Sequence, residues 1–221
     1  SGLTFRAWDQ STGTPGATAD TTVTGGATAF SVATASASIT VGAVNDAPTF
    51  VVGDGIVTTN VAGASMDFHQ AVLVQPDGKI VAAGYTSTTT KDIVVARYNA
   101  DGSLDTTFGG GDGIVVTPVG TSDDVANAIV RRTDGRLLVV GQTFNGSDTD
   151  VALVQLTSTG AFDVAFGGGD GIATSGLAGY DEGYDVALQA DGRILVASQS
   201  STNLQVVRFN ADGTRDSTFG T

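Results

Sequence analysis

The chain has 221 residues, no cysteine, one histidine, and 23 acids against 10 bases, for a formal net charge of −13. This excludes a disulfide framework, Cys-ligated zinc and thiolate catalysis, and it repels phosphate-rich partners such as nucleic acid or an anionic membrane surface. The 31 glycines, about one residue in seven, suit many short strands joined by tight turns, and no apolar run is long enough to insert in a membrane.

Residues 1–48 carry two strand patterns, Leu3-Thr4-Phe5-Arg6-Ala7-Trp8 and Thr28 to Val44, and end in Asn45-Asp46-Ala47-Pro48. Two strands cannot enclose a core. Phe5, Trp8, Phe30, Ile39 and Val41 are therefore expected to need a partner surface, supplied by more of the same domain, by the rest of the chain, or by another copy through strand addition. The pieces Thr4 to Asp9, Ala37 to Val41 and the Asn-Asp-Ala-Pro linker resemble the C-terminal half of a bacterial cadherin-like domain, an Ig-like β-sandwich of surface adhesins. The resemblance implies calcium at Asp9, Asn45 and Asp46, because a hard cation takes its ligands from closely spaced carboxylates and carbonyls. The same Asn45-Asp46 pair also suits a plain turn before Pro48.

From residue 49 the chain repeats itself. Asp-Gly-Ile occurs at Asp54, Asp112 and Asp170, each step 58 residues. Asp77-Gly78-Lys79, Asp134-Gly135-Arg136 and Asp191-Gly192-Arg193 recur at a step of 57, as do the single acids Asp67, Asp124 and Asp181. Phe108, Phe166 and Phe219 mark the joins. The boundaries read as 49–105, 106–163 and 164–216. Within one unit, strands are expected at Gly113 to Val119, Ala126 to Arg131, Arg136 to Gly141 and Val151 to Leu156. Asp134-Gly135 makes a hairpin turn, and Leu137 to Val140 is apolar enough to be buried on both faces. Four strands in about 57 residues, with no room for a helix, match one blade of an antiparallel β-propeller.

The runs Val74 to Gly84 and Val94 to Gly109, with their counterparts in the next two copies, resemble the bacterial delta-60 repeat. That resemblance implies a β-propeller-like fold and an extracellular, cell-surface location. Three units are fewer than the four to eight blades of a closed propeller. The chain opens within a strand pattern and stops as a new repeat begins, so it reads as a segment of something longer.

Several residue groups invite function. Gly109-Gly110-Gly111-Asp112-Gly113 and Gly167 to Gly171 are spaced too far apart for calcium-binding nonapeptides and read better as turns of positive φ. Asp67, Asp124 and Asp181 either line a channel and hold a cation or sugar, or accept backbone N–H bonds where a strand begins. Lys79, Arg136 and Arg193 are expected to pair with Asp92 and Asp150 or to solvate an edge. Arg97 and Arg208 are equivalent, but Gln155 takes the middle place. His69 has no counterpart in the other copies and reads as a surface residue. The expected work is structural and adhesive, not enzymatic: a segment of a surface adhesin or fibre subunit that joins other copies by strand complementation, with calcium stiffening its junctions. The competing reading is a propeller module that binds a glycan or a protein through loops 85–91 and 142–149.

Overall fold

The computed structural model describes residues 3–8, 30–37, 55–61 and 63–220, the first two stretches by their backbone. Asp9, Asn45 and Asp46, the expected calcium ligands, lie outside the described residues. The chain divides into two units, Ser1–Asp54 and Gly55–Thr221. In the first, β1 (Leu3–Trp8) and β2 (Phe30–Ala37) pair antiparallel from Leu3↔Ala37 to Trp8↔Phe30.

The second unit is all-β, with no helix among the described residues. Its first sheet has the order β3 (Met66–Val74), β4 (Ile80–Ser87), β5 (Lys91–Tyr98), β6 (Ile114–Thr117). The second has β7 (Asp124–Arg131), β8 (Leu137–Phe144), β9 (Thr149–Leu156), β10 (Ile172–Thr174). The third has β11 (Asp181–Leu188), β12 (Ile194–Ser200) and β13 (Asn203–Phe209). All neighbours are antiparallel.

The frame of each sheet differs from the strand order expected for one unit. Ile114–Thr117 does not begin the second sheet. It closes the first, pairing Ile114↔Ala96 through Thr117↔Ile93. Ile172–Thr174 closes the second in the same way, from Ile172↔Val154 to Thr174↔Ala152. Each copy thus gives its first short strand to the sheet before it. The chain does this because the glycine run after Phe108 turns it back along β5. The amides of Gly111 and Gly113 both donate to the Phe108 carbonyl, and Arg97 N donates to Gly113 O at 2.9 Å. Gly109 has φ +66°, and a Cβ there would stand 2.2 Å from Ile114 O, so only glycine fits. The turn reading of the glycine runs holds.

The core lies between sheets. Side chains alternate along β8, so Leu137 and Val139 face the first sheet while Leu138 and Val140 face the third, all fully buried. Val81, Ala83, Ile93 and Val95 meet Ala126, Leu137, Val139 and Val154 at the first junction. Leu138, Val140, Val151 and Leu153 meet Ile194, Val196 and Val207 at the second. Phe108 and Phe166 are fully buried at the bases of these junctions.

A bulge interrupts the first strand of every sheet, at His69/Ala71, Ala126/Ala128 and Gly183/Asp185. The facing pairs there are His69↔Gly84, Ala126↔Gly141 and Gly183↔Ser198, so one partner is always glycine. A Cβ on Gly141 would lie 1.8 Å from Val125 O. Gly141→Ala is therefore expected to force the bulge open and cost about 1–3 kcal/mol in a urea melt. Unchanged stability would show that the strands can separate there freely.

Candidate functional site

Recurring charges gather at the two ends of the strands. At one end, Asp105 joins β5 to the following turn: Asp105 N donates to Arg97 O at 2.9 Å. Its Oδ2 accepts from Lys79 Nζ and from Arg97 Nε, both at 2.7 Å. Its Oδ1 accepts from the Thr107 amide and hydroxyl. Arg97 also stacks over Phe108, 4.4 Å from the ring centre, and its Nη1 donates to Ser158 O in the next copy. Burial alone would raise the Asp105 carboxyl, but the bonds from Lys79, Thr107 and Arg97 hold it far below the usual carboxylate range.

The same node recurs. Asp216 takes Arg208, Arg193 and Thr218, and its carboxyl is lowered to about 2, chiefly by the Thr218 hydroxyl and amide, with Arg208 adding to them. In the middle copy, Gln155 Nε2 donates to Asp163 Oδ2 at 2.6 Å, and Arg136 Nε stands 2.9 Å from the same oxygen. Glutamine in place of arginine thus keeps the bond to the aspartate but gives up the charge and the further contacts that Arg97 makes with Ser158 O and the Phe108 ring. Lys79, Arg136 and Arg193 pair with Asp105, Asp163 and Asp216, not with Asp92 and Asp150 as expected. The cause is the turn after β5, β9 and β13, which bridges back at Tyr98↔Leu104, Leu156↔Phe162 and Phe209↔Arg215 and brings the aspartate beside the hairpin.

At the opposite end stand the strand-start acids. Asp124 is fully buried, and its Oδ2 accepts from Val119 N at 2.8 Å and Gly120 N at 3.0 Å. Asp67 accepts from Thr86 Oγ1 and Val61 N. These two hold the incoming chain to its sheet. Asp181 is also fully buried, yet neither carboxylate oxygen meets a donor at hydrogen-bonding geometry. Burial pushes its carboxyl up; Ser200 acts against this, while Asp150 and Asp148 add to it. A carboxyl raised in the folded state favours folding below its ordinary value and loses that contribution as pH rises through the folded value. Asp181→Asn is accordingly expected to melt higher than the parent at pH 7, with the gap closing toward pH 4. A gap that does not change with pH would refute the assignment.

Among the described residues, no group of three or more His, Cys, Asp or Glu is placed to hold a metal ion. The adjacent acids do not converge. Asp123 pairs with Lys91 at 3.2 Å while Asp124 points into the sheet. Glu182 takes the hydroxyls of Tyr180 and Tyr184 while Asp181 is buried. The Tyr184 phenol is pushed up to about 12, first by its bond to Glu182. His69 is exposed, with Nε2 3.5 Å from the Tyr98 hydroxyl.

The loops expected at 85–91 and 142–149 are mostly strand. Tyr85↔Ile93 to Ser87↔Lys91 and Gln142↔Val151 to Phe144↔Thr149 are regular pairs, leaving connections of only 88–90 and 145–148. What the sequence did not signal is a groove of about 400 Å³ at this end, lined by Lys91, Asp123, Gln142, Phe144, Thr149 and Tyr180. Beside it, Phe68 stacks on Tyr85 with ring centres 5.2 Å apart, and Lys91 Nζ sits 5.3 Å above the Tyr85 ring. These aromatics are scattered along the chain, and only the register of β3, β4 and β5 collects them.

Residues 75–108, 132–166 and 189–219 match the model of a family described as a domain of unknown function (DUF5122) beta-propeller. The three matches fit the repeats and the blade-like sheets; none reaches residues 1–48, so the cadherin-like resemblance there gains no support. No curated protein matches the chain.

Proposed function

We propose that this β-propeller-like repeat protein is a structural and adhesive module of the bacterial exterior, a segment of a large surface adhesin or fibre. What supports the reading is where its recurring charges go. Lys79, Arg136 and Arg193, with Asp105, Asp163 and Asp216, are all engaged inside the array. Chemistry repeated in every copy here fastens turns to strands. The cadherin-like reading of residues 1–48, with calcium held by Asp9, Asn45 and Asp46, belongs to the same proposal: oxygen-rich linkers stiffen when a hard cation binds. Membrane-impermeant amine labelling of intact producing cells tests the location, because Lys91 is exposed at the sheet end. Labelling only after lysis would end the extracellular reading. A melt with and without EDTA tests calcium, which is expected to raise the transition; coincident curves would remove the metal.

A second reading rests on the groove beside Tyr180. Its mix of aromatic walls with Lys91, Asp123, Gln142 and Thr149 suits a neutral glycan, whose rings stack on aromatics while its hydroxyls meet polar groups. Tyr180→Ala is expected to abolish signal on a glycan array without changing the melt. An array blank for the parent chain would leave the scaffold reading alone.

A further inference from the structure

The groove beside Tyr180 lies in a field of negative charge that the chain does not neutralise. Asp123 lines it, and five more acids stand next in the chain to its lining residues: Asp92 after Lys91, Asp124 after Asp123, Asp148 and Asp150 on either side of Thr149, and Asp181 after Tyr180. Lys91 is the one base among the lining residues.

How these carboxylates are held decides what the groove attracts. At the hairpin end of the sheets, Asp105, Asp163 and Asp216 each meet at least one base. Here, among the described residues, Asp123 alone of the six does so, with Lys91 Nζ 3.2 Å from its Oδ2. Both of those side chains are two-fifths or more exposed, so the pair is weak. Asp124 takes the amides of Val119 and Gly120. Asp150 takes Asn145 Nδ2 at 2.8 Å and the Ser175 hydroxyl at 3.2 Å. Asp148 takes the Gly179 amide at 2.9 Å and Asn145 Nδ2. Asp181 is fully buried with neither oxygen partnered. Neutral donors fill the lone pairs of a carboxylate but leave its charge in place. The Asp92 carboxyl registers that charge: burial pushes it up, and Asp124 and Asp123 push it further. The repeat shows where the counter-charge is missing. Lys91 opens β5, but the residue that opens β9 is Thr149, so the second copy brings Asp148 and Asp150 without the lysine.

The walls decide what form the cation takes. Among the described residues no three acids converge as metal ligands, so the charge acts as a field over the groove and not as a coordination sphere. Tyr180, fixed by its hydroxyl bond to Glu182 at 2.8 Å, and Phe144 give the groove aromatic walls. An ammonium carried on a sugar fits both features. The field and the aromatic face attract the charge, while Ser122, Gln142 and Thr149 suit the hydroxyls. We infer that the groove takes a glycan bearing a free amine on an otherwise neutral frame, with the ammonium beside Asp123 and a sugar ring against Tyr180. This rests on the glycan reading of the groove and adds the chemical class of the sugar.

Two probes that differ in one group test it: a trimer of N-acetylglucosamine, and the same trimer with one acetyl group removed. Calorimetric titration at about pH 6 keeps the freed amine protonated. The deacetylated trimer is expected to bind about tenfold tighter, with the ratio shrinking toward one in about 1 M salt. Asp123→Asn withdraws the lining carboxylate and releases Lys91, and is expected to erase the preference. Lys91→Gln is expected to enlarge it. Both side chains are exposed, so both variants keep the parent's melt, and their opposite signs exclude a general loss of structure. Equal binding of the two trimers, tighter binding of the acetylated one, or a preference that both variants leave unchanged would overturn the inference while the glycan reading stands. An oligolysine peptide bound as tightly as the deacetylated trimer would also overturn it, since charge without a sugar ring would then suffice. Binding of neither trimer overturns it as well, and the glycan reading falls with it only if the glycan array is blank.

Discussion

Asp105→Ala is expected to lower the unfolding free energy by roughly 3 kcal/mol, because it leaves the Arg97 guanidinium buried without its partner. In a unit of this size that is a fall of about 6–12 °C in Tm. The side chains of Arg97 and Asp105 are both under a tenth exposed, so water cannot replace the lost bonds. Asp163→Ala, at the equivalent place, removes the partner of a neutral glutamine and of an arginine that stays two-fifths exposed. Its loss is expected to be clearly smaller, about 1 kcal/mol. The parent and both variants compared by calorimetry check this; equal losses would show that the buried charge is immaterial. The sign with pH is fixed by the lowered Asp105 carboxyl. Its contribution is complete above the ordinary carboxylate value and is lost as pH falls toward the folded one. The parent should lose stability steeply in acid, and Asp105→Ala should lose much less.

The second large effect concerns the phenylalanine at the join between copies. Phe166→Ala is expected to cost about 3–5 kcal/mol, since the ring is fully buried among Val151, Leu153 and Phe209. The turn after β13 faces it with a glycine: a Cβ on Gly213 would stand 2.7 Å from the ring. Phe219 occupies the same place in the third copy but is two-fifths exposed, with Arg208 4.5 Å above its ring. Phe219→Ala should cost under about 1 kcal/mol in the monomer. Urea melts of both variants at low protein concentration decide the matter. Comparable losses would mean that the ring is anchored from within its own copy.

Much of the fold was legible because its causes are local. Glycines of positive φ, the Asp-Gly turns and the doubly apolar run Leu137 to Val140 each demand one kind of backbone, and the period of 57–58 multiplies the signal. The frame of the sheets was not legible. A repeat reads the same wherever its boundary is drawn, and only hydrogen bonding decides that Ile114–Thr117 joins β5 and not β7. The ion pairs failed for a related reason. Asp92 and Lys79 lie near opposite ends of their antiparallel strands, so closeness in sequence misled, while Asp105 is carried back by its bond to Arg97 O. Of the two roles open to the strand-start acids, Asp67 and Asp124 take the one in which backbone amides donate to them. The groove by Tyr180 joins residues from all three copies, and no window of sequence contains it.

The one-strand offset between repeat and sheet bears on how such a protein changes length through inheritance. The second copy seals the rim of the first and the third seals that of the second, each by the same backbone pairing. Unequal recombination that inserts or deletes 57 residues therefore alters reach without creating any unfamiliar surface. Selection can then adjust span in whole modules, while the chemistry by which neighbours recognise each other stays fixed.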